Sequence, residues 1–300
     1  MKKKLLLILA VLAVLSASGV WGYRWVTYEK LDLSKVLPYA QTEAVPKLIE
    51  RIKSQPIGPE GFTFVALGDT RTNFAMAEKV VTAAAAEKPA FILANGDIVR
   101  RGRPEEYESH HLRLVDAIKP MPFITVPGNH EEGPNRDFEA FLAIYGQEQF
   151  SFDYGNARFV GLNNSGRLGV TWAHLRYLEQ ELSKPGVSHK FVVFHVPPRD
   201  MDIFVDSEEG RGFRWNAKAF RKLMSEQHVT AVFMGHVHGF AEQTLDGVRY
   251  IITGGAGANL AERLPEEGRV HNYVLVHVQP AAVKFEVVRL VGNEWVRGEF

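Results

Sequence analysis

The sequence predicts an α/β fold in which a sandwich of mixed β-strands is covered by helices on both sides. From residue 62 onward, short apolar runs alternate with helical patterns, and the strands joined by short turns at the end of the chain predict a β meander. In addition, five of the apolar runs end abruptly in an Asp, Asn or His residue. Such endings predict a functional site at the carboxyl edge of a sheet.

The predicted elements follow one another along the chain, with Gly and Pro residues marking the turns. Strands are predicted at residues 62–67, 91–95, 123–126, 191–194, 230–234, 247–253, 273–278 and 283–290, with a hairpin at 149–162. Helices are predicted at residues 73–87, 105–118, 137–145, 171–182 and 218–227. In the helix at 171–182 the 3.6-residue period places Trp172 on the apolar side, so we expect Trp172 in the core.

The first 60 residues carry a different pattern. Three lysines after Met1 precede an apolar run that begins at Leu5, and residues 1–26 are therefore typical of a signal peptide or an N-terminal membrane anchor. The lysines favour the cytoplasmic side of the membrane, which predicts that the rest of the chain is exported. The protein is then membrane-anchored and faces the extracytoplasmic side, or is secreted or periplasmic if the leader is cleaved. Residues 27–60, with a short amphipathic helix at 45–52, are predicted to be a spacer before a domain at 61–300.

Composition excludes several classes of function. The formal net charge is zero, so no general attraction to nucleic acid is expected. The chain has no cysteine, which excludes disulfides and thiolate metal sites.

The five polar endings supply oxygen and nitrogen donors without sulfur. They are Gly68-Asp69-Thr70-Arg71, Gly96-Asp97, Gly128-Asn129-His130-Glu131, His195-Val196-Pro197 and Gly235-His236-Val237-His238. Any one alone could be a helix cap or a turn. Together they suit divalent or trivalent metals. Two such ions about 3.5–4 Å apart can activate a bridging water and hold a phosphoryl group.

This order of motifs resembles the calcineurin-like metallophosphoesterase superfamily, from about residue 62 to the end of the chain. The resemblance implies a four-layer αββα sandwich of two mixed β-sheets flanked by helices. It also implies that a metal-bound hydroxide at a dinuclear site hydrolyses a phosphoester substrate.

The resemblance also assigns roles to residues. Asp97 would bridge two ions of Mn, Fe or Zn. The remaining ligands would be Asn129, His195 and His236 at one ion and Asp69 and His238 at the other. His130 would face the phosphate and assist the leaving group, and we expect Glu131 to hold His130.

Arg71 departs from the family pattern. Most members carry a ligand histidine in this position, whereas a guanidinium has no lone pair to offer a metal. We expect Arg71 to clamp the substrate phosphate instead, and Asn73 is a candidate replacement ligand. Two alternatives stay open. One is a phosphodiesterase or pyrophosphatase instead of a monoesterase, and the other is a non-catalytic phosphate-binding envelope protein with an impaired first metal site.

Overall fold

A computed structural model describes residues 28–201, 212–262 and 264–300. The predicted leader at residues 1–26 lies outside these ranges. Among the helices within them, none has both the length and the apolar character that crossing a membrane requires.

The strands form two six-stranded sheets, each mixed in direction. The first sheet contains β1 (Phe62–Leu67), β2 (Ile92–Ala94), β3 (Phe123–Thr125), β10 (His271–Val278), β11 (Val283–Val291) and β12 (Glu294–Glu299), in the order β12-β11-β10-β1-β2-β3. The second contains β4 (Phe150–Tyr154), β5 (Ala157–Gly161), β6 (His189–Val193), β7 (Ala231–Met234), β8 (Phe240–Leu245) and β9 (Val248–Thr253), in the order β4-β5-β6-β7-β9-β8.

Helices flank the sheets. They are α1 (Ala40–Glu43), α2 (Val45–Lys53), α3 (Phe74–Ala86), α4 (Pro104–Glu106), α5 (Leu112–Ala117), α6 (Glu139–Tyr145), α7 (Trp172–Leu182) and α8 (Ala217–Glu226). A π-helical turn, Tyr107–His111, joins α4 to α5, and 3-10 turns lie at Leu37–Tyr39, Asn129–Glu131 and Glu266–Gly268. Two mixed sheets with flanking helices confirm the predicted fold class.

Phenylalanine rings fill the space between the two sheets. Phe64 of β1 lies with its ring centroid 5.1 Å from those of both Phe159 in β5 and Phe191 in β6. Because side chains alternate along a strand, the neighbouring Val160 and Val192 face the other way and pack in a second core with residues of α7 and α8. The central part of the second sheet is therefore buried on both faces, which explains the continuous apolar sequences of β6 and β7.

The parallel strands direct their carboxyl ends to one edge of the sandwich. In the first sheet β1 pairs in parallel with β2, and β2 with β3. In the second sheet β6 pairs in parallel with β5 and β7. Each of the five polar motifs follows one of β1, β2, β3, β6 and β7, so the topology brings all five together.

The predicted spacer packs against the domain. Val45, Leu48 and Ile52 on one face of α2 are fully buried and belong to the main core. The predicted amphipathic helix at 45–52 is confirmed, and the domain covers the apolar face of this helix. Much of residues 28–60 is thus part of the folded body.

Two other expectations were wrong. Trp172 is 57% exposed, because it stands at the first turn of α7 while Leu175, Leu178 and Leu182 provide the buried face. The strands at the end of the chain do not form one continuous meander. β9 joins the second sheet beside β7, whereas β10, β11 and β12 follow one another as antiparallel neighbours in the first sheet, where β10 also pairs antiparallel with β1.

Candidate metal centre

Four of the predicted ligands converge on a small volume, which we call the Asn129 cluster: Asp97, Asn129, His195 and His236. The Asn129 Oδ1 atom lies 3.2 Å from His195 Nε2 and 2.8 Å from His236 Nδ1. The Asp97 Oδ1 atom lies 3.3 Å from His195 Nε2. Ligand atoms bound at about 2.1 Å to one ion are separated by roughly 3 Å, so these spacings fit a single metal.

A second group, the Asp69 cluster, consists of Asp69, Asp97 and His238. One ligand atom from each lies within 4.8 Å of the other two. The Asp69 Oδ1 atom is buried, has no hydrogen-bond partner among the residues that the structure describes, and lies 3.3 Å from His238 Nε2. An unpartnered buried carboxylate oxygen favours a cation nearby. Both clusters share Asp97, as expected for a bridging residue.

Three of the ligand residues have unusual backbone conformations. Asp69, Asp97 and His236 have φ angles of 58°, 55° and 69°, in the left-handed region. For residues other than glycine this conformation costs on the order of 1 kcal/mol each and is found most often at functional sites.

Close packing under the site explains one of the glycines. A Cβ atom added at Gly235 would lie 2.5 Å from Asp69 Oδ2 and 3.0 Å from His195 Nδ1. Any other residue before His236 would therefore displace Asp69 or His195.

Backbone carbonyls fix the orientation of three histidines. His195 Nδ1 lies 2.9 Å from the Asn95 carbonyl oxygen, and His238 Nδ1 lies 2.7 Å from that of Asn259. In each ring Nδ1 must be the donor, so the Nε2 lone pair of the neutral ring faces the site. His130 Nδ1 likewise lies 2.6 Å from the Arg100 carbonyl oxygen, and its Nε2 lies 3.9 Å from Asp97 Oδ2.

The electrostatics of the Asn129 cluster call for a positive charge. Burial would raise the pKa of Asp97, but His195, His130 and Arg71 hold that pKa well below its usual value. Burial alone would lower the pKa of His195, but Asp97 raises it to about 9. Without a metal, a proton on His195 Nε2 therefore supplies the cation between the two groups. A metal at the same place would satisfy the same oxygens.

Glu131 supports the site in a way that differs from the expectation. Its buried carboxylate accepts hydrogen bonds from the backbone N–H groups of Asp97, Ile98, Val99 and Gly128 at 2.5–3.0 Å. Burial and the Asp97 carboxylate raise the pKa of Glu131 to about 8, against these N–H groups, which favour its ionised form. The expectation that Glu131 holds His130 was wrong. Glu131 joins the loop after β2 to the loop after β3.

Arg71 is paired within the site. Its Nε donates to Asp97 Oδ2 at 3.1 Å, and its Nη2 donates to His238 Nε2 at 3.2 Å. The candidate replacement ligand Asn73 does something else, since its side chain accepts a hydrogen bond from the Met76 N–H and caps α3. The Asp69 cluster thus fits a metal only in part, whereas the Asn129 cluster fits one fully.

Sequence patterns did not identify two supporting asparagines. Asn164 Oδ1 accepts hydrogen bonds from the backbone N–H groups of His195 and Val196. Asn95 Nδ2 donates to the Met234 carbonyl at 2.8 Å and so joins the two sheets below the site. Asn95 lies directly after β2 and before Gly96-Asp97, and this position could have marked it as a residue of the site. Asn164 lies in a loop without a recognisable motif, so nothing in the sequence pattern indicated its role.

A model of the calcineurin-like phosphoesterase family matches residues 62–240. The chain belongs to this family, as the order of motifs predicted. The match covers every predicted ligand and both predicted catalytic residues, His130 and Arg71.

Curated relatives include a phosphatase and a phosphodiesterase. The chain is 28% identical over 197 residues to serine/threonine-protein phosphatase CPPED1 of Rattus norvegicus, covering 58% of this chain and 62% of that protein. It is 27% identical over 162 residues to the probable glycerophosphodiester phosphodiesterase GpdQ of Arcobacter nitrofigilis, covering 50% of this chain and 57% of that protein. The chain thus spans less than two thirds of the length of these relatives.

Solved structures support the fold. Purple acid phosphatase PPD1 from yellow lupin (Lupinus luteus) aligns with a TM-score of 0.61 at 14% identity, over 78% of this chain and 52% of that one. A dimetal phosphatase from Danio rerio aligns with a TM-score of 0.57 at 16% identity, over 80% of this chain and 99% of that one. GAP50, described as the anchor in the inner membrane complex of Plasmodium, aligns with a TM-score of 0.60 at 15% identity, over 80% of this chain and 88% of that one.

Proposed function

We propose that this protein is a metal-dependent phosphoester hydrolase whose active centre is built around the Asn129 cluster. The observation that carries the proposal is the convergence of Asp97, Asn129, His195 and His236 with donor spacings of 2.8–3.3 Å. Family membership supports the same reaction class. A bound ion would supply a nucleophilic water of lowered pKa and would neutralise charge on the phosphoryl oxygens.

The chain's own residues provide the remaining functions. Asn95 and Asn259 orient His195 and His238 through backbone carbonyls, so that both rings direct Nε2 into the site. His130 is 31% exposed at the side chain and held through Nδ1, which leaves Nε2 to meet substrate. In its protonated form His130 can transfer the Nε2 proton to the departing alkoxide. Arg71 adds a permanent positive charge beside Asp97.

Turnover measured with and without metal tests the proposal. The full-length protein would be stripped with a chelator and assayed on nitrophenyl phosphate, bis-nitrophenyl phosphate and pyrophosphate, before and after Mn²⁺ is restored. We expect hydrolysis only with metal. The substrate that is hydrolysed fastest will show whether the protein is a monoesterase, a phosphodiesterase or a pyrophosphatase. The named relatives include both a phosphatase and a phosphodiesterase, so they do not distinguish these activities.

One observation favours a second function, a non-catalytic phosphate-binding envelope protein. Arg71 occupies two of the three donors of the Asp69 cluster, which leaves that cluster poorly suited to a catalytic ion. Metal-replete protein that binds phosphate but turns over none of the three substrates would support this function and contradict the first.

We also propose export of the protein on the basis of the lysines and apolar run at its N-terminus. Cell fractionation of a protein with an epitope at its C-terminus tests this proposal. We expect the epitope to be released with the extracytoplasmic fraction or to be cleaved by protease added to spheroplasts. An epitope that stays with intact spheroplasts and is cleaved only after their lysis would contradict it.

A further inference from the structure

We propose that the guanidinium of Arg71 takes the place of the first metal ion, so that the chain binds one ion, at the Asn129 cluster. This inference rests on the proposed function, because it concerns the charge distribution of the same site. It departs from the dinuclear arrangement that the motif order implied, and it follows from how each donor of the Asp69 cluster is occupied.

The two carboxylate oxygens of Asp97 face different partners. Oδ1 lies 3.3 Å from His195 Nε2, on the side of the Asn129 cluster. Oδ2 accepts a hydrogen bond from Arg71 Nε at 3.1 Å. One way for a carboxylate to bridge two ions is to offer one oxygen to each. Here the oxygen that would meet the first ion already has a cationic partner.

His238 is engaged by the same guanidinium. Because its Nδ1 donates to the Asn259 carbonyl, its only lone pair is on Nε2. That lone pair accepts a hydrogen bond from Arg71 Nη2 at 3.2 Å. The Nε and Nη2 groups of one guanidinium are parallel donors in a fixed fork, so Arg71 binds both donors at once.

The third donor, Asp69, mainly positions a ligand of the other cluster. Its Oδ2 accepts a hydrogen bond from the His236 backbone N–H at 3.1 Å. Only Oδ1 is left without a hydrogen-bond partner, and it lies 3.3 Å from the His238 ring. One remaining carboxylate oxygen is far fewer than the three or four protein donors that hold a zinc ion, and the neighbouring guanidinium repels any cation placed there.

The Arg71 side chain is held in this place. It is only 16% exposed, and its Nη1 donates to Thr72 Oγ1 at 3.3 Å. A guanidinium carries a positive charge and has no lone pair with which to hold a metal or a metal-bound water. It therefore provides the fixed charge of a second ion without the ability to activate a water. In this arrangement Arg71 can still meet a phosphoryl oxygen through its remaining N–H groups.

Metal stoichiometry tests the inference without relying on turnover. Full-length protein, the Arg71→His variant and the Arg71→Lys variant would each be saturated with Mn²⁺, freed of excess ion and analysed for metal per chain. Electron paramagnetic resonance would then report whether the bound ions are exchange-coupled through a shared carboxylate. Arg101→His, an exposed arginine on the loop after β2, is the matched control for adding an imidazole.

We expect one uncoupled ion per chain in the unaltered protein, in Arg71→Lys and in Arg101→His. In Arg71→His the imidazole restores the missing ligand, so we expect a doubling to two coupled ions per chain. Two ions in the unaltered protein would overturn the inference and leave the proposed function standing. Retention of a single ion by Arg71→His would also overturn it. Absence of bound metal in all four proteins would overturn both the inference and the proposed function.

Discussion

Asp97 is the residue on which both clusters depend. It is buried, has a left-handed backbone conformation and faces His195 with one oxygen and Arg71 with the other. A buried carboxylate in a strained backbone is costly unless its partners compensate. The compensation comes from the Arg71 ion pair, from His195 and from the N–H of His130, which donates to Asp97 Oδ1 at 3.0 Å.

Removing a ligand of the Asn129 cluster should abolish activity while the fold persists. For Asn129→Ala and His236→Ala we expect kcat/KM to fall at least about 100-fold, since even residues that only orient ligands are typically worth 10–100-fold. Both side chains lie at the edge of the sandwich, partly exposed, so the core is unaffected. Steady-state kinetics with circular dichroism checks this, with the exposed Asn293→Ala as control. Full activity in both variants would refute the ligand assignment.

At the scale of elements, the strands that carry the site were predictable and some others were not. β1, β2, β3, β6 and β7 are short apolar runs with polar endings, so both their existence and their meeting edge follow from the sequence. β8 is half-buried along its length, and β12 is exposed at most positions. Neither shows the alternation that identifies a strand. The sheet to which β9 belongs depends on its pairing partner, which a single sequence does not encode locally.

The meeting of the proposed ligand side chains could be predicted from the sequence, whereas their supporting contacts could not. The six proposed ligands follow from motif order, and the structure brings them together. The roles of Glu131, Asn95 and Asn164 depend on backbone N–H and carbonyl groups of distant loops. Such contacts leave no periodic signal. The pairing of Arg71 with Asp97 and His238 was not expected for the same reason.

The π-helical turn Tyr107–His111 gives a prediction of pH dependence. His111 is fully buried, and the Tyr145 hydroxyl contacts its Nε2 while Nδ1 has no partner. Burial lowers the pKa of His111 from 6.5 to about 3. The folded protein thus keeps the ring neutral where the unfolded chain takes up a proton. This stability is present above pH 6.5 and is lost as the pH falls toward 3, by about 1.4 kcal/mol per unit.

The His111→Gln variant should therefore lose less stability on acidification. Between pH 7 and pH 5 we expect its free energy of unfolding to fall by about 2 kcal/mol less than that of the unaltered protein. Urea unfolding at the two pH values measures the difference. The control is His228→Asn, at an exposed position with a positive φ that Asn tolerates, and it should keep the full dependence. An equal decline in His111→Gln and the unaltered protein would contradict the assignment.

At the scale of the whole molecule, the segment before β1 belongs to the folded body. Leu48 in α2 is fully buried in the core that the first sheet supplies. For Leu48→Ala we expect a loss of about 2–5 kcal/mol in unfolding free energy, because the substitution leaves a cavity. Lys53→Ala, on the exposed side of the same helix, should change it little. If Leu48→Ala unfolds like the unaltered protein, the segment is a spacer after all.

We expect the carboxyl ends of β2, β3, β6 and β7, which come from both sheets, to hold one shared metal ion. Anomalous X-ray scattering from crystals grown with Mn²⁺ tests it most directly. We expect a peak within about 2.3 Å of the donor atoms of Asp97, Asn129, His195 and His236. A crystal that holds Mn²⁺ elsewhere and none among these four side chains would contradict it.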